Sequence, residues 1–178
     1  MLDRFRSGDN EAFESLVALY SEALFHFIYT IVNDHHEAKH LMVESFALLA
    51  LSNGHYAGKS SLKTYLYKIG QNHARRYVRM RRRDRHISFE EVEGVLAREE
   101  DSPHSIIERK ADRELLFDAM RDLREDHCMV IRLLYFEDHS YSEAGRIMSK
   151  SVVQIRNLAY RAKMALKKIL ESNGYTYY

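Results

Sequence analysis

From Glu11 to Val32, apolar side chains recur at Ala12, Phe13, Leu16, Val17, Leu19, Tyr20, Leu24, Phe27, Ile28 and Ile31. This i, i+3, i+4, i+7 spacing predicts an amphipathic helix, which Asp9 or Asn10 is placed to cap. Asn33-Asp34 interrupts the pattern, and Asp34 can cap a second helix that ends near Ser52-Asn53-Gly54. Its inward positions read Ala38, Leu41, Met42, Ser45 and Leu48 or Leu49. After a loop over Gly54–Ser61, a third helix is expected from about Ser61 to Arg83, with an apolar stripe of Leu62, Tyr65, Leu66, Ile69, Ala74, Tyr77 and Val78.

The periodicity fails between Asp84 and Ser105, which hold six acids over 90–101 and the only proline, Pro103. This stretch reads as an acidic linker. Helical spacing then returns over Ile106–Leu123 and Arg124–Phe136. Two capping boxes follow, Ser140-x-x-Glu143 and Ser151-x-x-Gln154. In each, the Ser side chain takes the third backbone N–H while the Glu or Gln returns to the cap amide. Two such starts, 11 residues apart, predict a short helix, a tight turn and a new helix, the helix-turn-helix arrangement. The fold class is therefore all-α: two small helical domains, three helices in the first and four in the second. The division is 1–83, an acidic linker 84–111, and 112–178.

Composition narrows the function. The 178 residues hold one cysteine, Cys128, so no internal disulfide forms, and the chain reads as cytoplasmic. No apolar run approaches the roughly 18 residues of a membrane span. The net charge of +1 conceals strong segregation. Residues 59–85 carry ten Lys/Arg against one acid, and 150–170 carry six against none. Two basic blocks on one chain suggest two meetings with a polyanion. On the last helix, Ile155, Leu158, Ala159, Ala162 and Leu166 face inward, whereas Gln154, Arg156, Asn157, Tyr160, Arg161 and Lys163 face out. These types suit base edges and phosphates. His36 and His40 are spaced i, i+4, yet no third ligand and no His-Glu-x-x-His motif accompanies them, so no metal is expected. No Gly-rich phosphate loop, Gly-x-Ser-x-Gly or paired-carboxylate site occurs, so neither a cofactor nor an activity of its own is expected.

The block Tyr135-Phe136-Glu137-Asp138-His139-Ser140-Tyr141-Ser142-Glu143-Ala144, with Ser151, Ile155-Arg156-Asn157 and Tyr160-Arg161-Ala162-Lys163, resembles the promoter-reading C-terminal domain of bacterial RNA polymerase sigma factors. The small extracytoplasmic-function (ECF) class of the sigma-70 family is the nearest in layout. Asp34…Glu37-Ala38-Lys39-His40-Leu41-Met42-Val43-Glu44-Ser45-Phe46 resembles that family's polymerase-binding helix. Lys63-Thr64-Tyr65-Leu66-Tyr67-Lys68-Ile69, Asn72 and Arg79–Arg83 resemble its −10-reading helix. The sequence departs from the family at His40 (usually Asp), Val43 (Gln), Tyr65 (Trp), Arg76 (Asp), and Ser149 and Val153 (both Gly). Since Val153 cannot take φ > 0 cheaply, a slightly different turn is expected.

The resemblance implies a specificity subunit that brings core RNA polymerase to promoters and helps melt the −10 element. It implies polymerase clamp contacts at His40, Leu41, Glu44, Ser45 and Leu48. It implies −35 reading by Gln154, Arg156, Asn157, Tyr160, Arg161 and Lys163. It implies −10 binding and melting by Tyr56, Lys63, Asn72, Arg75, Arg76, Arg79 and Arg82. Tyr56, in the loop, suits a flipped base, and Tyr65, Tyr67 and Tyr77 are further aromatics, of which Tyr65 and Tyr77 read rather as core. Partners would be core polymerase, promoter DNA and an anti-sigma factor, with the free chain monomeric. For the acidic linker, apart from the resemblance, three readings stand: it serves solubility, it follows the RNA exit path as a nucleic-acid mimic, or it folds the two basic domains back on each other. Two other readings stay open: a stand-alone helix-turn-helix regulator, and a helical adaptor whose basic faces bind acidic partners.

Overall fold

The computed structural model describes residues 9–52, 58, 60–85 and 115–174, and among them the chain is all helical with no strand. The N-terminal half is α1 (Asn10–Val32), α2 (His35–Leu51) and α3 (Leu62–Arg85). The C-terminal half begins with α4 (residues 115–121) and α5 (Glu125–Ile131). It continues as a π-helical turn over Arg132–Phe136, then α6 (Tyr141–Met148) and α7 (Val152–Ser172). The acidic linker, the loop residue Tyr56 and the C-terminal tyrosines lie outside the described residues.

The helix ends follow from local chemistry. Asp9 Oδ1 accepts from the amides of Glu11 and Ala12 at 3.0 and 3.3 Å. Asn33 closes α1 in the left-handed region, φ 50°, which asparagine tolerates better than most residues. Asp34 then caps α2 by accepting from the Glu37 amide at 3.1 Å. The α1 stripe is buried as its spacing requires, with Leu24, Phe27 and Ile28 fully enclosed. By length and composition α1 could cross a membrane, with a mean hydropathy of 1.5 over its most apolar window, which corrects the expectation that no run reaches such length. Polar residues are simply sparse along it. Here its apolar face packs on α2 and α3.

The two halves are not separate cores. One continuous apolar cluster runs from Leu16 in α1 to Ala162 in α7. It joins them where α3 lies along α6 and where α1 meets α5. Gly70 permits close crossing of α3 on α1, because a Cβ there would stand 3.0 Å from Leu24 Cδ1.

Candidate nucleic-acid interface

Both capping boxes form. Ser140 Oγ accepts from the Glu143 amide at 3.2 Å, and Glu143 Oε2 accepts from the Ser140 amide at 3.0 Å. Ser151 and Gln154 repeat the exchange at 3.2 and 2.8 Å. Between the boxes, Ser149 takes φ 55° and the Lys150 amide donates to Gly145 O at 2.9 Å. A Cβ on Gly145 would stand 2.7 Å from Lys150 O, so the turn closes only on glycine. Positive φ thus falls on Ser149. Val153 sits in the first turn of α7 and needs none, which removes the reason for expecting it to distort the turn.

This geometry presents one face of α7. Ile155, Leu158, Ala159 and Ala162 are buried, whereas Gln154, Arg156, Asn157, Tyr160, Arg161 and Lys163 are all exposed. Gln154, Asn157 and Arg161 share a shallow concavity with Lys150 and Asp126. The Gln154 carbonyl is spent on the cap, which leaves its NH2 to donate. The Arg156 guanidinium lies 5.7 Å over the Tyr141 ring, and Lys163 lies 5.7 Å over Tyr135. Tyr160 stands clear, 65% exposed.

A second basic surface lies on α3. Lys68, Asn72, Arg75, Arg79 and Arg82 fall on one stripe and line a groove. Its other wall includes Ile31, Glu125 and Ser149. Arg76 is exposed but belongs to another face of the helix. Lys63 is not in the groove. Its ammonium donates to the Glu137 carbonyl and sits 5.9 and 5.8 Å from the ring centres of Tyr20 and Tyr67. Tyr65 and Tyr77 are half-buried and packed on the core. Tyr67, offered as a stacking aromatic, is fully buried instead, and its hydroxyl donates to Glu137 Oε2 at 2.6 Å.

The face of α3 that meets the C-terminal half escaped the sequence reading. Thr64, Tyr67 and Gln71 are all but inaccessible. The signal was present: they are uncharged, spaced i, i+3, i+7, in a helix whose other polar positions are nearly all cationic. Ser61 and Thr64 hydroxyls each donate to Glu143 Oε1 at 3.0 Å. Burial alone would raise the Glu143 pKa, but the bonds from Ser140, Ser61 and Thr64 overcome it and hold the carboxyl at about 2. Lys68 Nζ donates to Ile147 O at 2.6 Å and Ser149 Oγ at 2.7 Å. Burial, then the neighbouring Arg75, lowers its pKa.

On α2, His40 and Glu44 are exposed, and Glu44 lies 3.9 Å from His40 and 3.6 Å from His73. Leu41 and Ser45 face inward, 6% and 0% exposed, because they lie on the stripe that packs on α1 and α3, so a partner contact through them does not fit this structure. Leu48 does face out, and Leu49 takes the core position. Val43, a family departure expected on this face, is exposed there, and Leu51, which was not in the expected set, extends it. Among the described residues no three His, Cys, Asp or Glu side chains converge as metal ligands. Cys128 is half-buried, and burial raises its thiol pKa.

Residues 16–84, which span most of α1 and all of α2, match the family Sigma-70 region 2. Over nearly its whole length the chain is similar to the RNA polymerase sigma-H factor of Pseudomonas aeruginosa, 27% identical over 96% of this chain and 92% of that one. It is 26% identical to the ECF RNA polymerase sigma-E factor of Haemophilus influenzae, over 96% and 94%. Over nearly its whole length, then, the chain is similar to sigma factors of the ECF class. Its fold is that of RpoE from Bartonella quintana, solved with the anti-sigma factor NepR, at a TM-score of 0.69 with 22% identity over 90% of this chain and 98% of that one. The family match covers the half that holds the α3 groove, and the whole-length relatives extend the likeness to the helix-turn-helix.

Proposed function

We infer that this protein is a promoter-specificity subunit of bacterial RNA polymerase, which directs core enzyme to its promoters and helps melt the −10 element. The observation that carries the reading is the pair of basic helical surfaces. One is the exposed face of α7 behind a tightly closed turn, and the other is the α3 groove of Asn72, Arg75, Arg79 and Arg82. On this reading residues 1–83 hold polymerase and the −10 element, 84–111 connect, and 112–178 read the −35 element. Arg156, Asn157, Tyr160 and Arg161 enter the major groove, while Lys163 serves a phosphate. The outer face of α2, now His40, Val43, Glu44, Leu48 and Leu51, docks on the polymerase clamp. Tyr56 receives a flipped base, whose unstacking costs a few kcal/mol. The protein makes and breaks no covalent bond itself and works in the cytoplasm, where an anti-sigma factor is a further partner.

The test is capture of purified core RNA polymerase by this chain, then run-off transcription on genomic DNA. Core binding with new start sites supports the reading and yields the promoter sequence. A chain that shifts DNA yet ignores core enzyme is a stand-alone regulator, and one that does neither is an adaptor.

A further inference from the structure

α7 packs on α5 and α6, and α6 in turn meets α3 in the seam between the halves. The side of α7 turned away from that packing is not uniformly polar. At 100° per residue, Val153, Tyr160 and Met164 fall within roughly 40° of one another, opposite the buried Ile155 and Ala162. Val153 and Met164 are 66% and 52% exposed, in line with Tyr160. Arg156 and Lys163 run along one flank of this apolar crest, and Asn157 and Arg161 along the other.

A crest of this kind between polar flanks fits a groove with charged walls and a partly apolar floor. The major groove of DNA is such a groove. It is roughly 12 Å wide, admits one α-helix, and has base edges for its floor. Those edges carry hydrogen-bond donors and acceptors, and one exposed apolar group, the C5 methyl of thymine. Of the three apolar residues, Val153 is best placed to reach it. It is the second residue of α7, inside the Ser151–Gln154 capping box. The N-terminal residues of such a helix are the ones that contact base edges, and the Cβ of Val153 leans further toward that end. Tyr160 and Met164 lie roughly 10 and 16 Å further along the axis. Branching at Cβ keeps the Val153 side chain stiff, so contact costs it little rotamer freedom. The turn makes no use of that side chain, since Ser149 holds the positive φ and Ser151 and Gln154 close the box.

We propose that Val153 is a specificity-determining residue, which reads one thymine of the −35 element through its C5 methyl group. This step rests on the function proposed above. The isopropyl group covers the methyl and takes both out of water. Over any other base it covers a donor or acceptor instead, which loses its water and gains no partner. Discrimination therefore has two sources, attraction to thymine and a penalty on its competitors.

The test uses holoenzyme assembled from purified bacterial core RNA polymerase and the full chain, on a promoter fragment recovered by genomic run-off. Copies of that fragment randomised over the −35 element are bound, recovered and sequenced. Wild type should require thymine at one position, and Val153→Ala should lose that preference while keeping the others. Alanine is the better helix former, so the variant does not endanger α7. Deoxyuridine in place of that thymine then removes the methyl alone and leaves the protein untouched. It should weaken promoter binding by wild-type holoenzyme about fourfold, the worth of one methyl-sized group returned to water. Val153→Ala holoenzyme should be indifferent to it. A −35 element with no required thymine, or equal losses on deoxyuridine in both proteins, overturns the proposal. Holoenzyme that initiates nowhere sinks the sigma reading itself, whereas an active holoenzyme that ignores the methyl fails the Val153 contact alone.

Discussion

At the scale of single residues, the helix-turn-helix depends on one missing methyl group. Gly145 faces the backbone carbonyl of Lys150, and a Cβ 2.7 Å away has no flexible neighbour to push aside. Gly145→Ala should therefore open the turn at a cost of about 1–3 kcal/mol, as overpacking does. For a chain of this size that lowers Tm by roughly 2–12 °C. Thermal unfolding followed by circular dichroism checks this, and a Tm unchanged within a degree would show that the turn yields freely. The α7 face separates two kinds of contact by the same logic. Arg156→Ala or Asn157→Ala should cost about 1–3 kcal/mol against one promoter base position and little elsewhere. Lys163→Ala should instead weaken all sequences alike and shallow the salt dependence by about one unit. Affinities measured over a promoter mutation series at two salt concentrations distinguish these, and equal losses across all bases for Arg156→Ala would remove it from the base-reading set.

At the scale of elements, α2 shows how a helix divides its work. Its inner stripe is Ala38, Leu41, Ser45 and Leu49, and Ser45 can be buried because its hydroxyl donates to Leu41 O at 2.6 Å. Its outer side leaves Val43, Leu48 and Leu51 exposed beside Glu44, more apolar surface than an isolated helix face needs. Leu48→Asp, with Leu51 intact, should abolish capture of core polymerase while leaving Tm within about 1 °C, because a solvated side chain contributes little to the fold. A variant that still binds polymerase at wild-type strength would remove this face from the docking surface. Helix order, caps, both capping boxes and the α7 face were legible in the sequence, since local hydrogen bonding and 3.6-residue spacing dictate them. The contact set on α2 was half legible. Leu41 and Ser45 were named for a surface while their spacing placed them in the core. The apolar stripe of α3 was read, but its second buried face, Thr64, Tyr67 and Gln71, was not. Lys63 and Tyr67 looked like nucleic-acid contacts by residue type, and only tertiary packing shows them turned toward Glu137.

At the scale of the whole molecule, the seam makes stability a matter of pH. His139 lies within it, 4% exposed, with its ring 4.9 Å from that of Tyr67. Neither ring nitrogen has a hydrogen-bond partner among the described residues. Burial first, then repulsion by Lys63 on α3, lowers its pKa from 6.5 to about 4, against the opposing pull of Glu143 on α6 and Asp138 in the preceding loop. Tyr67, the ring it packs on, is neutral here, its own pKa pushed up by burial and by Glu137. Above pH 6.5 the imidazole is neutral in both folded and unfolded chains, and the fold keeps its full stability. Below 6.5 the exposed imidazole takes up a proton that the buried one refuses until about pH 4. Acid therefore destabilises the folded chain, by about 3 kcal/mol once pH reaches 4. Glu143 acts in the same sense lower down, as the stability it lends to the fold fades between its ordinary pKa of 4.5 and about 2. The Tm should accordingly fall as pH drops from 6.5 to 4, and His139→Leu should flatten that part of the profile while leaving the change below 4. A wild-type Tm constant over the same interval, or a His139→Leu chain whose Tm falls just as that of wild type does, would show that the seam does not sense this proton.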